Sequence, residues 1–157
     1  MDAEADVFHP RTVLGAALVM LTCVSRTQDS HRDDWLRDPA SGNHKAFAQF
    51  RMAHYTEARE VWETLAEVGN GEALFNLGIL AEEGLGEPKN MKKAETFYDR
   101  AARAGNCKAR YRLGMLYAAG TRLPRDAEKA RIYLTQAAQV GDKDASAALI
   151  VLGLIGA

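Results

Sequence analysis

An all-α fold of stacked helix hairpins, a solenoid, is predicted by three features of this sequence. The first is a period. Ala58, Ala94 and Ala130 are each 36 positions apart, and so are Gly69, Gly105 and Gly141, Ala73, Ala109 and Ala145, and Leu77, Leu113 and Leu149. Coincidence does not sustain one offset at so many positions, so the chain is a tandem repeat whose units cover one another. The second is composition: alanine and leucine dominate and aromatics make up only 8%, which favours helix over sheet. The third is the fixed order of small and large residues, as in "YDRAARAGNCKARYRLGMLYAAG" from Tyr98 to Gly120. Antiparallel helices approach closely only where neither presents bulk. Ala and Gly therefore mark the crossings, and Leu, Tyr and Phe fill the space between.

Before the repeats, Thr12 to Val24 reads "TVLGAALVMLTCV" without a charge. It is too short to span a bilayer comfortably and has the length of a signal-peptide core, with Arg11 before it and small residues up to Ser25 for cleavage. Residues 1–25 are accordingly read as an export signal, which places the domain in the periplasm or elsewhere in a bacterial envelope. The alternative is a buried N-terminal helix in a cytoplasmic protein. The acidic start "MDAEADVFHP" favours that alternative unless translation begins later, near Val7. Cys23 is a second alternative, as a lipidated cysteine, although Thr22 stands where Gly or Ala is preferred. The membrane is otherwise given no part. Residues 26–42 read "RTQDSHRDDWLRDPASG"; they are polar and rich in turn formers, and read as a linker to a repeat domain over 43–157.

Each unit of that domain reads as two helices. "NGEALFNLGILAEEG" sets Ala73, Leu77, Leu80 and Ala81 at helical spacings and stops at Gly84. The loops "LGEPKN" and "TRLPRD" follow in successive units, and each ends in an N-cap residue, Asn90 or Asp126. The second helix, "MKKAETFYDRAARAG", stops at Gly105, with Ala94, Phe97, Ala101 and Ala102 sharing its inner face. Gly78 and Gly114 recur in mid-helix, where glycine costs about 1 kcal/mol against alanine. Such a cost at one repeat position implies a backbone contact that tolerates no side chain. The last unit ends after one helix, "DASAALIVLGLIGA", apolar nearly all round. Solenoids finish on a polar cap, so a partner, a second copy forming a homodimer, or the N-terminal apolar segment is expected to cover it.

These residues resemble the Sel-one-like repeat, a relative of the tetratricopeptide repeat. The resemblance lies in "ARYRLGMLYAAG" continued by "TRLPRDAEKARIYLTQAAQVG", Ala109 to Gly141, and in the preceding unit "EALFNLGILAEEGLGEPKNMKKAETFYDRAARAG". In the latter, Ala81 replaces a tyrosine of the pattern and Asn90 an aspartate. "AHYTEAREVWETLAEVG" looks like a further unit with a shorter turn. The resemblance runs from about Asn43 onward and implies a right-handed superhelix with first helices on a concave face.

It further implies that Glu72, Phe75, Ile79 and Glu83 face the groove from one unit, and Lys108, Tyr111, Met115 and Ala119 from the next. The apolar stripe among them is a candidate docking surface for a protein or peptide, or a set of contacts between neighbouring first helices. Asn76, Lys108 and Arg112 fall where some tetratricopeptide domains clamp a C-terminal carboxylate, with solvated surface charge as the plainer alternative. Glu82 and Glu83 read as a solvated helix end.

Chemistry finds no foothold. The net charge of -1 supplies no basic stripe for nucleic acid. His9, His31, His44 and His54 form no metal-ligand pair, and Cys107 has no histidine near it in sequence. No P-loop, G-x-S-x-G or H-E-x-x-H occurs. The chain is therefore expected to be a non-catalytic scaffold without metal or cofactor. A cytosolic regulatory subunit and a secreted repeat-protein enzyme are the alternatives.

Overall fold

A computed structural model describes residues 31–154; the stretch 1–25 with Cys23, and residues 155–157, lie outside them. The chain divides into Met1–Asp34 and Trp35–Ala157. Of the first unit only 31–34 are described, and they are helical. After the helical residues 35–37, the described part of the second unit runs through α1 (Pro39–Arg51), α2 (Tyr55–Glu67), α3 (Gly71–Glu83), α4 (Met91–Arg103), α5 (Cys107–Ala119), α6 (Ala127–Gln139) and α7 (Lys143–Val151). Each packs on the helix that follows it, which makes three hairpins and a half unit in series. Among the described residues there is no strand, and the all-α solenoid is confirmed.

The caps repeat with the period of the sequence. Asn70, Asn106 and Asp142 accept the backbone N–H of Ala73, Ala109 and Ala145, each at 2.9 Å. Asn90 and Asp126 do the same for Lys93 and Lys129. These bonds satisfy amides that the helix itself leaves bare. At the other ends, Gly84 and Gly120 close α3 and α5 in the left-handed region, with φ 71° and 68°. Gly69, Gly105 and Gly141 turn the chain between hairpins with φ 76°, 89° and 93°, a conformation that favours glycine.

Gly71, the first residue of α3, is different. A Cβ there would meet its nearest neighbours at an ordinary 3.4 Å, and Cys107 and Lys143 occupy the same place in later units. Gly71→Ala is expected to raise stability by about 0.5 kcal/mol through the unfolded state, measured as a higher urea midpoint.

The polar stretch 26–42 is not a linker throughout. Residues 31–37 are helical and α1 begins at Pro39. Asp38 caps that helix, accepting from Ser41 N at 3.2 Å, and proline suits its first turn. A polar, turn-like sequence thus forms a helix because its start signals outweigh its weak apolar period.

Trp62, Leu65, Leu74, Leu80, Tyr98 and Leu113 are fully buried and build one core along the hairpins, which Leu134, Ala137, Ala145 and Leu149 continue. On α4 the inward aromatic is Tyr98, while Phe97 is only half-buried. The mid-helix glycines face mainly side chains, with the Leu134 backbone N also close to Gly114. A Cβ on Gly78 would lie 2.5 Å from Cδ1 of Tyr98, and one on Gly114 2.6 Å from Cγ of Leu134. Tyr98 and Leu134 are themselves one period apart. Each glycine is therefore a socket for the large residue of the partner helix. On α7, Leu149 is buried whereas Ile150 and Val151 are exposed.

Candidate partner-binding groove

The first helices bring part of the expected surface together. Phe75, Asn76 and Glu72 of α3 meet Lys108 of α5 and its cap Asn106 at a cavity of about 520 Å³. Helix α1 supplies the remaining wall, with Ala40, Asn43, His44 and Phe47. Phe47 is 51% exposed there, a large ring held toward solvent. Asn43 is buried; its Nδ2 donates to Asn70 Oδ1 at 3.1 Å, but its own Oδ1 has no partner. An unmet buried acceptor costs free energy until a donor reaches it. Sequence reasoning missed the α1 residues because the turn between α1 and α2 is short and shifts that hairpin out of phase with the later repeats.

Ile79 is half-buried and packs on the main core, and Tyr111 and Met115 pack on the cluster around Leu134 and Leu149. The apolar stripe accordingly serves as contact between neighbouring units. Phe75 also packs on the core, with its ring 5.6 Å from that of Tyr98, while lining the cavity.

Arg112 takes no part in a clamp. Its Nε and Nη2 reach the Glu82 carboxylate at 3.0 and 2.5 Å. Arg122 Nη1 lies 2.5 Å from the same carboxylate, and the Tyr98 hydroxyl donates to it at 2.7 Å. Glu82, read as part of a solvated helix end, is 1% exposed. Its position explains this: Leu74, Gly78 and Glu82 follow one another at four-residue steps on the buried face of α3. That spacing was the available signal. A carboxylate so placed requires cationic partners. Burial pushes the Glu82 carboxyl up, yet Arg112, Tyr98 and Arg122 outweigh it and hold the group below its ordinary 4.5. Burial first, and then the neighbouring carboxylate, keep the Tyr98 hydroxyl protonated. Exposed Glu83 shares Arg122 at 2.7 Å.

Among the described residues no group of three or more His, Cys, Asp or Glu side chains is placed to hold a metal ion. No described helix is long and apolar enough to cross a membrane. Cys107 is a free, half-buried thiol at the start of α5.

Comparison with known proteins identifies the repeat. The Sel1 repeat family model matches residues 71–106 and 107–142, that is, α3–α4 and α5–α6 with their connecting turns. Over 51 residues the chain is 37% identical to the ERAD-associated E3 ubiquitin-protein ligase component HRD3 of Candida glabrata, covering 32% of this chain and 6% of that protein. Two solved structures share the fold. The Sel1 repeat protein of Oxalobacter formigenes has a TM-score of 0.64 and 29% identity, over 71% of this chain and 48% of that one. A protective antigen of uropathogenic Escherichia coli strains, displaying an SLR fold, has a TM-score of 0.61 and 29% identity, over 80% of this chain and 29% of that one. The chain thus spans less than half the length of each of these relatives. The period, the caps and the socketed glycines of α3–α6 fall within the two stretches that match the Sel1 repeat, and Sel1-repeat proteins are generally protein-interaction scaffolds.

Proposed function

We propose that this chain is a non-catalytic scaffold that holds a polypeptide segment of another protein at the cavity between α1, α3 and α5. The observation that carries this reading is the wall itself: exposed Phe47 and half-buried Phe75 stand beside Lys108 and Asn76. An apolar ring beside a few polar groups is what a bound peptide needs, the ring for affinity and the polar groups for its backbone or chain end. The yeast relative is by name a component of a larger ligase, which supports a partner-holding role. The apolar run Thr12–Val24 is the support for placing that role in a bacterial envelope.

Selection of peptides from a random library on the whole chain tests it. Binders are expected to weaken about tenfold in Phe75→Ala and in Lys108→Ala, the loss typical of one anchor or one charge-assisted bond. Arg112→Lys should leave their affinity unchanged. Binders indifferent to both cavity substitutions would place the docking surface elsewhere.

A further inference from the structure

The opposite helices of the hairpins carry a second surface that differs in character from the cavity between α1, α3 and α5. Two adjoining hollows of about 590 and 450 Å³ share Asp99, Arg103, Lys129 and Tyr133 as walls. They run between α4 and α6. Tyr117 and Tyr133 form the floor, their rings stacked at 6.1 Å and 9°.

The charges of this trough are sorted by depth. Its two acids are occupied from within: the Tyr117 hydroxyl donates to Glu95, and the Tyr133 hydroxyl donates to Asp99 at 2.8 Å. Four cations stand around them, Lys92 and Arg103 from α4, Arg110 from α5 and Lys129 from α6. Arg103 is 79% exposed although it pairs with Asp99 at 2.8 Å. Lys129 lies 4.9 Å over the Tyr117 ring and reaches Asp126 only at 3.9 Å. The lining therefore carries two more positive than negative side chains, in a chain whose net charge is -1. At one end Ile132 and Val140, 40% and 56% exposed, add an apolar edge.

We propose that this trough docks an acidic peptide segment bearing one large apolar side chain. The carboxylates would lie along Lys92, Arg103 and Lys129, and the apolar side chain on Ile132 and Val140. Four cations around two acids that tyrosine hydroxyls already engage favour an anionic partner. Exposed aliphatics beside them favour an amphipathic chain over a bare polyanion. This surface is independent of the first-helix cavity, so a scaffold built this way holds two segments on opposite sides.

The test is fluorescence anisotropy of a labelled synthetic peptide, glutamate-rich with a single leucine, titrated with the whole chain. Binding is expected to weaken with added salt and to fall about tenfold in Arg103→Gln/Lys129→Gln, whose exposed side chains can be replaced without disturbing the core. Circular dichroism of that variant checks that the helices persist. Ile132→Ser should weaken the leucine peptide while leaving a leucine-free glutamate peptide unaffected. Lys108→Ala, in the other cavity, should change nothing. The proposal is overturned if the native chain does not bind the peptide, if the double variant binds it equally, or if Lys108→Ala abolishes binding. Tighter binding of duplex DNA or of phosphatidylserine vesicles than of the peptide would overturn it as well.

Discussion

Glu82→Ala is expected to destabilise the domain by about 3 kcal/mol. The Tyr98 hydroxyl is fully buried and donates to this carboxylate, so its removal strands a donor out of reach of water, at about 1–3 kcal/mol. Arg112 and Arg122 lose a shared partner as well, though both reach solvent in part, which limits the penalty. Urea unfolding measures the total. A loss below about 1 kcal/mol would mean that the carboxylate behaves as an ordinary surface ion pair. Combining the change with Tyr98→Phe should cost less than the sum of the two, because the stranded hydroxyl is gone.

The same carboxylate sets a pH dependence. Its folded pKa lies below the ordinary 4.5, so the unfolded chain takes up its proton first as the medium is acidified. The stabilisation is therefore complete above about pH 4.5 and drains away as pH falls through the lower folded value. Glu82→Gln should flatten that acid limb of the stability curve and leave its neutral region lower but parallel.

Gly78→Ala is expected to cost about 2 kcal/mol, although alanine is the better helix former. The new methyl would collide with a Tyr98 ring that has no exposure, has Phe75 beside it and is tied by its hydroxyl to Glu82. Overpacking of this kind costs about 1–3 kcal/mol, and helix propensity returns at most about 1. The check is whether Tyr98→Ala in the same chain makes room. The double variant should lose clearly less than the two single losses added together, whereas a purely local backbone effect at Gly78 would add in full.

Most of the solenoid could be read before any coordinates, because the features that build it recur. Asn70, Asn106 and Asp142 start equivalent helices, and Gly78 and Gly114 accept equivalent side chains. A period makes each such residue visible through its copies. The first hairpin has no such copies in phase. The turn of residues 52–54 is tight and carries Ala53 at φ 61°, whereas the later hairpins turn over longer loops, so α1 falls out of register and its polar start read as linker.

The groove divides along the same line. Phe75, Asn76 and Lys108 were found by their place in the repeat, and Asn43, His44 and Phe47 were not. Arg112 was misassigned for the converse reason. Its partner Glu82 occurs once, with Ala118 one period later and Asn76 in the place of Arg112 one period earlier. A pair found in one unit only leaves no periodic trace.

That singularity has a use during folding. Tandem hairpins so alike are exposed to stacking in the wrong order or between neighbouring chains, since any alanine seam fits any other. Among the described residues, the junction of α3 with α5 is where two guanidinium groups, of Arg112 and Arg122, meet the acid at the end of α3. A shuffled arrangement would set that acid against Asn76 or Ala148, which hold the place of Arg112 in the other units, and the misassembled array would be penalised.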